Sequence, residues 1–137
     1  MRFYLASSFS LRERVQAVCG RLESLGHIVP VQWWDHTAEA HELKAAPGTD
    51  AEFYSRQSVQ LTAARDLGGV ATCDIFIFVA DTDKARKYNG ANVELGYALA
   101  HGKPCFVLGR LERSALYAHV VHAETLDEIL ERVPERR

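Results

Sequence analysis

The sequence predicts an α/β domain built on a parallel sheet. Three observations carry that prediction. Residues 73–108, CDIFIFVADTDKARKYNGANVELGYALAHGKPCFVL, read as strand, polar loop, helix, glycine stop and second strand, the order of a βαβ unit. Residues 75–79 form a short, wholly apolar run rich in β-branched and aromatic side chains, as expected of a strand covered on both faces. Along the whole chain, five such short runs alternate with helical patterns, which implies a three-layer sandwich with helices on both sides of the sheet.

Composition sets the bounds. At 137 residues, 47% of them hydrophobic and 25% charged, the chain is long enough for one domain over residues 1–137 with its own core, without disulfides or metals. A formal net charge of −2 provides no basic field for a nucleic-acid backbone. No run reaches membrane-spanning length, and Met1-Arg2 leads straight into a strand without a signal-peptide pattern. The expectation is a cytoplasmic protein with neither membrane nor nucleic acid as partner. Cys19, Cys73 and Cys105 are odd in number and set among apolar residues, so they read as reduced core residues.

In chain order, residues 2–6 give the first strand. Ser7, Ser8 and Ser10 form a polar turn able to cap the helix that follows. Leu11, Val15, Val18, Leu22 and Leu25 recur at helical spacing, and Gly26 ends that helix. Residues 27–31 read as the second strand. Residues 32–48 are a long polar stretch with Trp33, Trp34, Asp35, His36, Glu39, His41 and Glu42, long enough to be functional or mobile. The spacing of His36 and His41 fits no strong metal signature, so no metal is expected. Thr49 or Asp50 caps a second helix running to Thr72, in which Gly68-Gly69 allows a close approach from substrate or backbone.

The central βαβ unit follows, with its helix over residues 91–100 and its second strand over 105–108. Residues 109–117 make a charged loop or short helix, residues 120–121 a last strand, and residues 125–133 a closing helix with Thr125 and Glu128 as a capping box. Five strands alternating with helices give a flavodoxin-like (Rossmann-like) sheet of order 2-1-3-4-5, with the site between the first and third strands. Ligands of open parallel sheets sit at the carboxyl ends of the strands, which places Asp81, Asp83, Asn89, Gly90 and Glu94 on the functional edge. Glu94, read as lying in the first turn of its helix, would be kept ionised by the helix dipole and nearby free amides. Such a carboxylate can act as a nucleophile, can stabilise a developing cation, or can simply complement the dipole. Ser7, Ser8 and Arg12, at the first strand-to-helix turn, are candidates for holding phosphate or sugar oxygens.

The run Asn89-Gly90-Ala91-Asn92-Val93-Glu94-Leu95-Gly96-Tyr97-Ala98, followed by Gly102-Lys103-Pro104, resembles the signature of the nucleoside 2-deoxyribosyltransferase superfamily. That superfamily also holds the 2-deoxynucleoside 5-phosphate N-hydrolases. The resemblance extends to Phe3-Tyr4-Leu5-Ala6-Ser7 and to Asp66, eight residues before Asp74. It implies that Glu94 is the catalytic carboxylate, that the Tyr4 hydroxyl contacts it, and that Asp66 serves as general acid to the departing base or orients the sugar. Asp74 reads as a strand-entry turn.

The resemblance further implies that residues 32–48 cover the base pocket, where Trp34 could stack on a base. It implies that Ser114 is lent to a neighbouring subunit to bind a 5-phosphate, in a homodimer with shared active sites. No cofactor is implied, and the partner is a small nucleoside or nucleotide. Hydrolysis is slightly preferred over transfer, because the short chain ending in Glu135-Arg136-Arg137 shows no evident Asn or carboxylate arrangement for an acceptor sugar and because Ser7, Ser8, Arg110 and Ser114 could serve a phosphate. Asn89-Gly90-Ala91-Asn92 departs from the Asp-x-Gly-Thr of many transferases, and Tyr88 stands where the hydrolases can carry a serine. The rival readings are base exchange, a non-catalytic nucleotide sensor, and an NAD-cleaving domain of the Toll/interleukin-receptor type.

Overall fold

A computed structural model describes residues 1–35, 42–81 and 86–133. Four parallel strands form the sheet: β1 (Phe3–Ala6), β2 (Ile75–Val79), β3 (Cys105–Leu108) and β4 (Val121–Ala123), in spatial order β1-β2-β3-β4. Every residue of β1, β2 and β3 is buried. That accounts for their unbroken apolar sequences, since helices cover both faces and leave no wet side to alternate with. The helices around the sheet that lie wholly within the described residues are α1 (Arg12–Ser24), α2 (Asp50–Ser55), α3 (Gln57–Thr72), α4 (Asn89–Ala100) and α5 (Leu126–Arg132).

The expected fifth strand, at residues 27–31, shrinks to a single bridge. Ile28 pairs with Arg2 on the free edge of β1, exchanging Ile28 N–H to Met1 O at 2.8–2.9 Å geometry with Phe3 N–H to Ile28 O. The next donor of a parallel ladder would be residue 30, and Pro30 has no N–H to give. The bridge therefore sits where the expected order 2-1-3-4-5 puts it, but the sheet has four strands rather than five.

Other expectations shift in detail. The helix expected over 49–72 is two helices, α2 and α3, separated by Arg56 in an extended conformation. Thr49 does cap α2, accepting from Glu52 N–H. The serines after β1 cap nothing: neither Ser8, before the 3-10 turn Phe9–Leu11, nor Leu11, before α1, makes a side-chain cap bond. Thr125 caps α5 as expected, accepting from Glu128 N–H, while the Glu128 carboxylate reaches back to Glu124 N–H rather than to the cap residue. Gly102, at φ +68°, ends α4: Gly102 N–H bonds to Leu99 O and Lys103 N–H to Ala98 O, the paired bonds of a Schellman motif.

The close approach anticipated at Gly68-Gly69 occurs at Gly69 alone, and the approaching groups are the protein's own. A Cβ there would stand 2.5 Å from Val31 Cγ2 and 3.1 Å from the Tyr4 ring, so glycine lets α3 lie directly on the sheet edge over Tyr4. Cys19, Cys73 and Cys105 are buried and unpaired by disulfides, with thiols pushed upward in pKa by burial. Among the described residues no helix is long and apolar enough to cross a membrane.

Candidate active site

A cleft of about 560 Å³ opens where the turn after β1 meets the start of α4, at the carboxyl ends of β1 and β2. Ser7, Ser8, Phe9, Ser10 and Arg12 come from the first wall; Lys87, Tyr88, Asn89, Gly90, Ala91 and Glu94 come from the second. Asp66 of α3, together with Trp33 and Lys44, completes it. This is the edge at which parallel sheets hold ligands, because helix starts and strand ends present unsatisfied backbone groups there.

The three residues expected to carry chemistry meet at this cleft. Tyr4 lies fully buried in β1, its ring stacked on Phe76 at 5.8 Å between centroids, and its hydroxyl donates to Glu94 Oε2 across 90 residues of sequence. Asp66 lines the same cleft and pairs with Arg65 at 3.4 Å. Its charge is felt by both Tyr4 and Glu94.

Glu94 does not lie in the first turn of its helix. The helix begins at Asn89, so Glu94 falls in the second turn, beyond the free amides, and no acidic residue occupies the first turn. Burial pushes the Glu94 carboxyl up to about 8; the Tyr4 hydrogen bond opposes that rise and the Asp66 charge adds to it. The dominant effect is thus desolvation, which favours the protonated acid, rather than a dipole that favours the carboxylate. Tyr4 is driven the same way, by burial first and then by the charges of Glu94 and Asp66, so its phenol stays a neutral donor.

The remaining expected positions divide. Asn89 and Gly90 line the cleft, and Gly90 has open space where a side chain would be. Ser7 and Ser8 line it too, but Ser7 spends its proton on Val79 O at 2.6 Å and offers the cleft only a lone pair. Asp81 braces the loop instead: its carboxylate pairs with Arg86 at 2.7 Å, and its N–H donates to the Tyr88 hydroxyl. Trp34 is buried edge-on against Trp33, and it is Trp33 that lines the cleft, with Nε1 donating to Leu5 O at 2.6 Å. Ser114 lies on the outside of the chain, capping the 3-10 turn Ala115–Tyr117 through Leu116 N–H. Asp74 accepts from Arg2 N–H, the strand-entry role read for it. Asp83, His36, Glu39 and His41 lie outside the described residues, as does the centre of the 32–48 stretch.

Three lining residues went unremarked in the sequence: Lys44, Lys87 and Phe9. No motif marks them, although Lys87 is adjacent to the signature run.

The chain matches the family model for nucleoside 2-deoxyribosyltransferases over residues 3–128. It belongs to that family. Solved structures agree on the fold. The 2-deoxyribosyltransferase of Bacillus psychrosaccharolyticus superposes with a TM-score of 0.65 at 22% identity, covering 94% of this chain and 90% of its own. The CMP N-glycosidase of Clostridium botulinum superposes with a TM-score of 0.54 at 19% identity, covering 96% of this chain and 97% of its own. No curated sequence matches the chain. Within a nucleoside 2-deoxyribosyltransferase family, a carboxylate held by a buried tyrosine in a cleft that also carries a second acid is the natural place to look for chemistry.

Proposed function

We propose that the chain cleaves the N-glycosidic bond of a nucleoside or deoxynucleoside 5-monophosphate, releasing free base and sugar phosphate. The observation that carries this reading is the convergence of Glu94, Tyr4 and Asp66 on a cleft rimmed by hydroxyls and cations. Breaking the bond builds positive charge on the sugar and negative charge on the base, so a carboxylate near the anomeric carbon and a proton near the base are both required.

In this account the Glu94–Asp66 pair holds one proton: with that proton on Asp66, the ionised Glu94 attacks the anomeric carbon as the bond to the base breaks and the base nitrogen takes the proton from Asp66. Water then attacks the glycosyl ester, giving its proton back to the acid pair and its hydroxyl to the sugar. Tyr4 holds the Glu94 carboxylate in line and counters part of the cost of burying its charge. Ser7, with only lone pairs to offer, suits a sugar hydroxyl; Ser8, Arg12, Lys44 and Lys87 suit a phosphate. The same reading makes the active unit a homodimer in which Ser114 serves the neighbouring cleft, and its exposed place outside its own cleft is compatible with that role.

A second reading is base exchange, favoured by the match to the transferase family itself. In it, a second base rather than water resolves the glycosyl ester. Chromatography of free base from a panel of nucleosides, nucleoside monophosphates and NAD separates these readings. Release confined to monophosphates supports hydrolysis of a nucleotide, and base exchange between two nucleosides without net hydrolysis supports transfer. Tight nucleotide binding with no release from any member would leave a sensor in place of an enzyme.

A further inference from the structure

One charged side chain ties the two walls of the cleft together without lining it. Arg86, just before the signature run, donates through Nε to Asp81 Oδ2 at 2.7 Å, at the end of β2. Through Nη1 it donates to Ser10 Oγ at 2.9 Å, in the turn after β1. Ser10 Oγ in turn lies 2.9 Å from Ser8 Oγ, and both serines face the cleft.

The direction of these bonds follows from the chemistry of the donors. Arginine cannot accept, so Ser10 must accept from it. That polarises the Ser10 hydroxyl and favours its own proton being given onward to Ser8, because consecutive bonds in one direction strengthen each other. The two hydroxyls are close enough for either to donate; with Ser10 donating, Ser8 accepts and its own proton is left for the cleft. Ser7 beside it is set the opposite way, since its proton is committed to Val79 O. Two adjacent serines thus present opposite faces: a lone pair at Ser7 and a donor at Ser8.

The geometry points to Arg86 as a positioning residue that fixes Ser8 as a hydrogen-bond donor to the phosphate monoester of the substrate. The inference rests on the nucleotide reading above and adds to it a specificity device acting through Arg86 and Ser10. Lys44, Lys87 and Arg12 supply charge that attracts any anion; the Ser8 donor supplies a direction and selects an oxygen that only accepts.

The test is equilibrium binding of 2-deoxyribose 5-phosphate, plain 2-deoxyribose and inorganic phosphate to the wild type and to Arg86→Gln, Arg86→Lys and Ser10→Ala, with melting temperatures alongside. Because these probes carry no base, the result does not depend on turnover. Arg86→Gln and Ser10→Ala are expected to weaken the sugar phosphate roughly tenfold, the loss of about one hydrogen bond to a charged group, and to leave plain deoxyribose unchanged. Arg86→Lys keeps the charge and loses the two-pronged donor, so it is expected to behave like Arg86→Gln.

A Ser10→Ala protein that binds the sugar phosphate within twofold of wild type overturns the inference, as does full affinity in Arg86→Lys, which would reduce Arg86 to a long-range charge. Equal loss for both sugars, tracking a fall in melting temperature, would make Arg86 a structural brace only. Inorganic phosphate binding as tightly as the sugar phosphate would overturn the assignment of the donor to substrate. Intact sugar-phosphate selectivity through Arg86 with no base release from any nucleotide would instead sink the catalytic reading and leave this one standing.

Discussion

At the scale of single residues, the site turns on one proton. In the proposed mechanism Glu94 must be ionised to attack, yet burial holds its carboxyl up to about 8. Because Asp66 must still hold a proton for the base, the pair works with one proton between its two carboxyls, so for the free enzyme kcat/KM for base release is expected to fall as pH rises through about 8, read from a pH–rate profile. Tyr4→Phe removes the hydrogen bond that lowers the Glu94 pKa, so its profile is expected to move to higher pH; an unmoved profile would remove Tyr4 from that role. The same group couples to stability. Its folded pKa lies above the ordinary 4.5, so the native state holds a proton that the unfolded chain releases between pH 4.5 and about 8. Stability from this group is present below pH 4.5 and is lost as pH rises through about 8. Glu94→Gln is expected to melt like wild type near pH 4 and several degrees above it at pH 9, a difference that thermal scans across pH would reveal or deny.

At the scale of elements, α3 and β1 set the position of Tyr4, and Gly69 is where they touch. Gly69→Ala would drive a methyl into Val31 and the Tyr4 ring, and is expected to cost about 1–3 kcal/mol in denaturant unfolding, the usual cost of overpacking. Base release should fall with it, because the displaced ring carries the hydroxyl that holds Glu94. What was legible in the sequence also sorts at this scale. β1, β2 and β3 announce themselves because strands buried on both faces are apolar throughout, and α4 because Gly102 closes it with a recognisable motif. The edge strand misled, since residues 27–31 have the composition of a strand while Pro30 denies the ladder its second bond. α4 starts at Asn89, two residues before the 91–100 that the sequence predicts, so Glu94 falls in the second turn, where burial rather than the dipole governs its charge state. The choice between Trp33 and Trp34 was not legible, because neighbouring residues of a 3-10 turn face different ways and no period of the sequence tells which.

At the scale of the whole molecule, the sheet brings together Tyr4 and Glu94, 90 residues apart in the chain, through the parallel pairing of β1 with β2. Pairwise sequence spacing carries no trace of that meeting; the signature run supplied it through family resemblance, and the fold supplies it through topology. Lys44 and Lys87 carry no sequence signal for the same reason, since isolated surface cations acquire meaning only once the walls of the cleft are assembled. If the active unit is the proposed homodimer, specific activity is expected to fall on dilution in step with dissociation seen by light scattering, and Ser114→Ala to weaken phosphate-bearing substrates. Constant activity in a chain that is monomeric at every concentration would confine the site to one protomer.

The central claim is that Glu94 forms the bond to the sugar, and the most direct measurement of it is single-turnover release of free base by Glu94→Ala beside wild type, with matched circular dichroism to show that both are folded. The account predicts a loss of at least about 10³-fold, as for removal of a nucleophile. A folded Glu94→Ala protein that releases base within tenfold of the wild-type rate would contradict it.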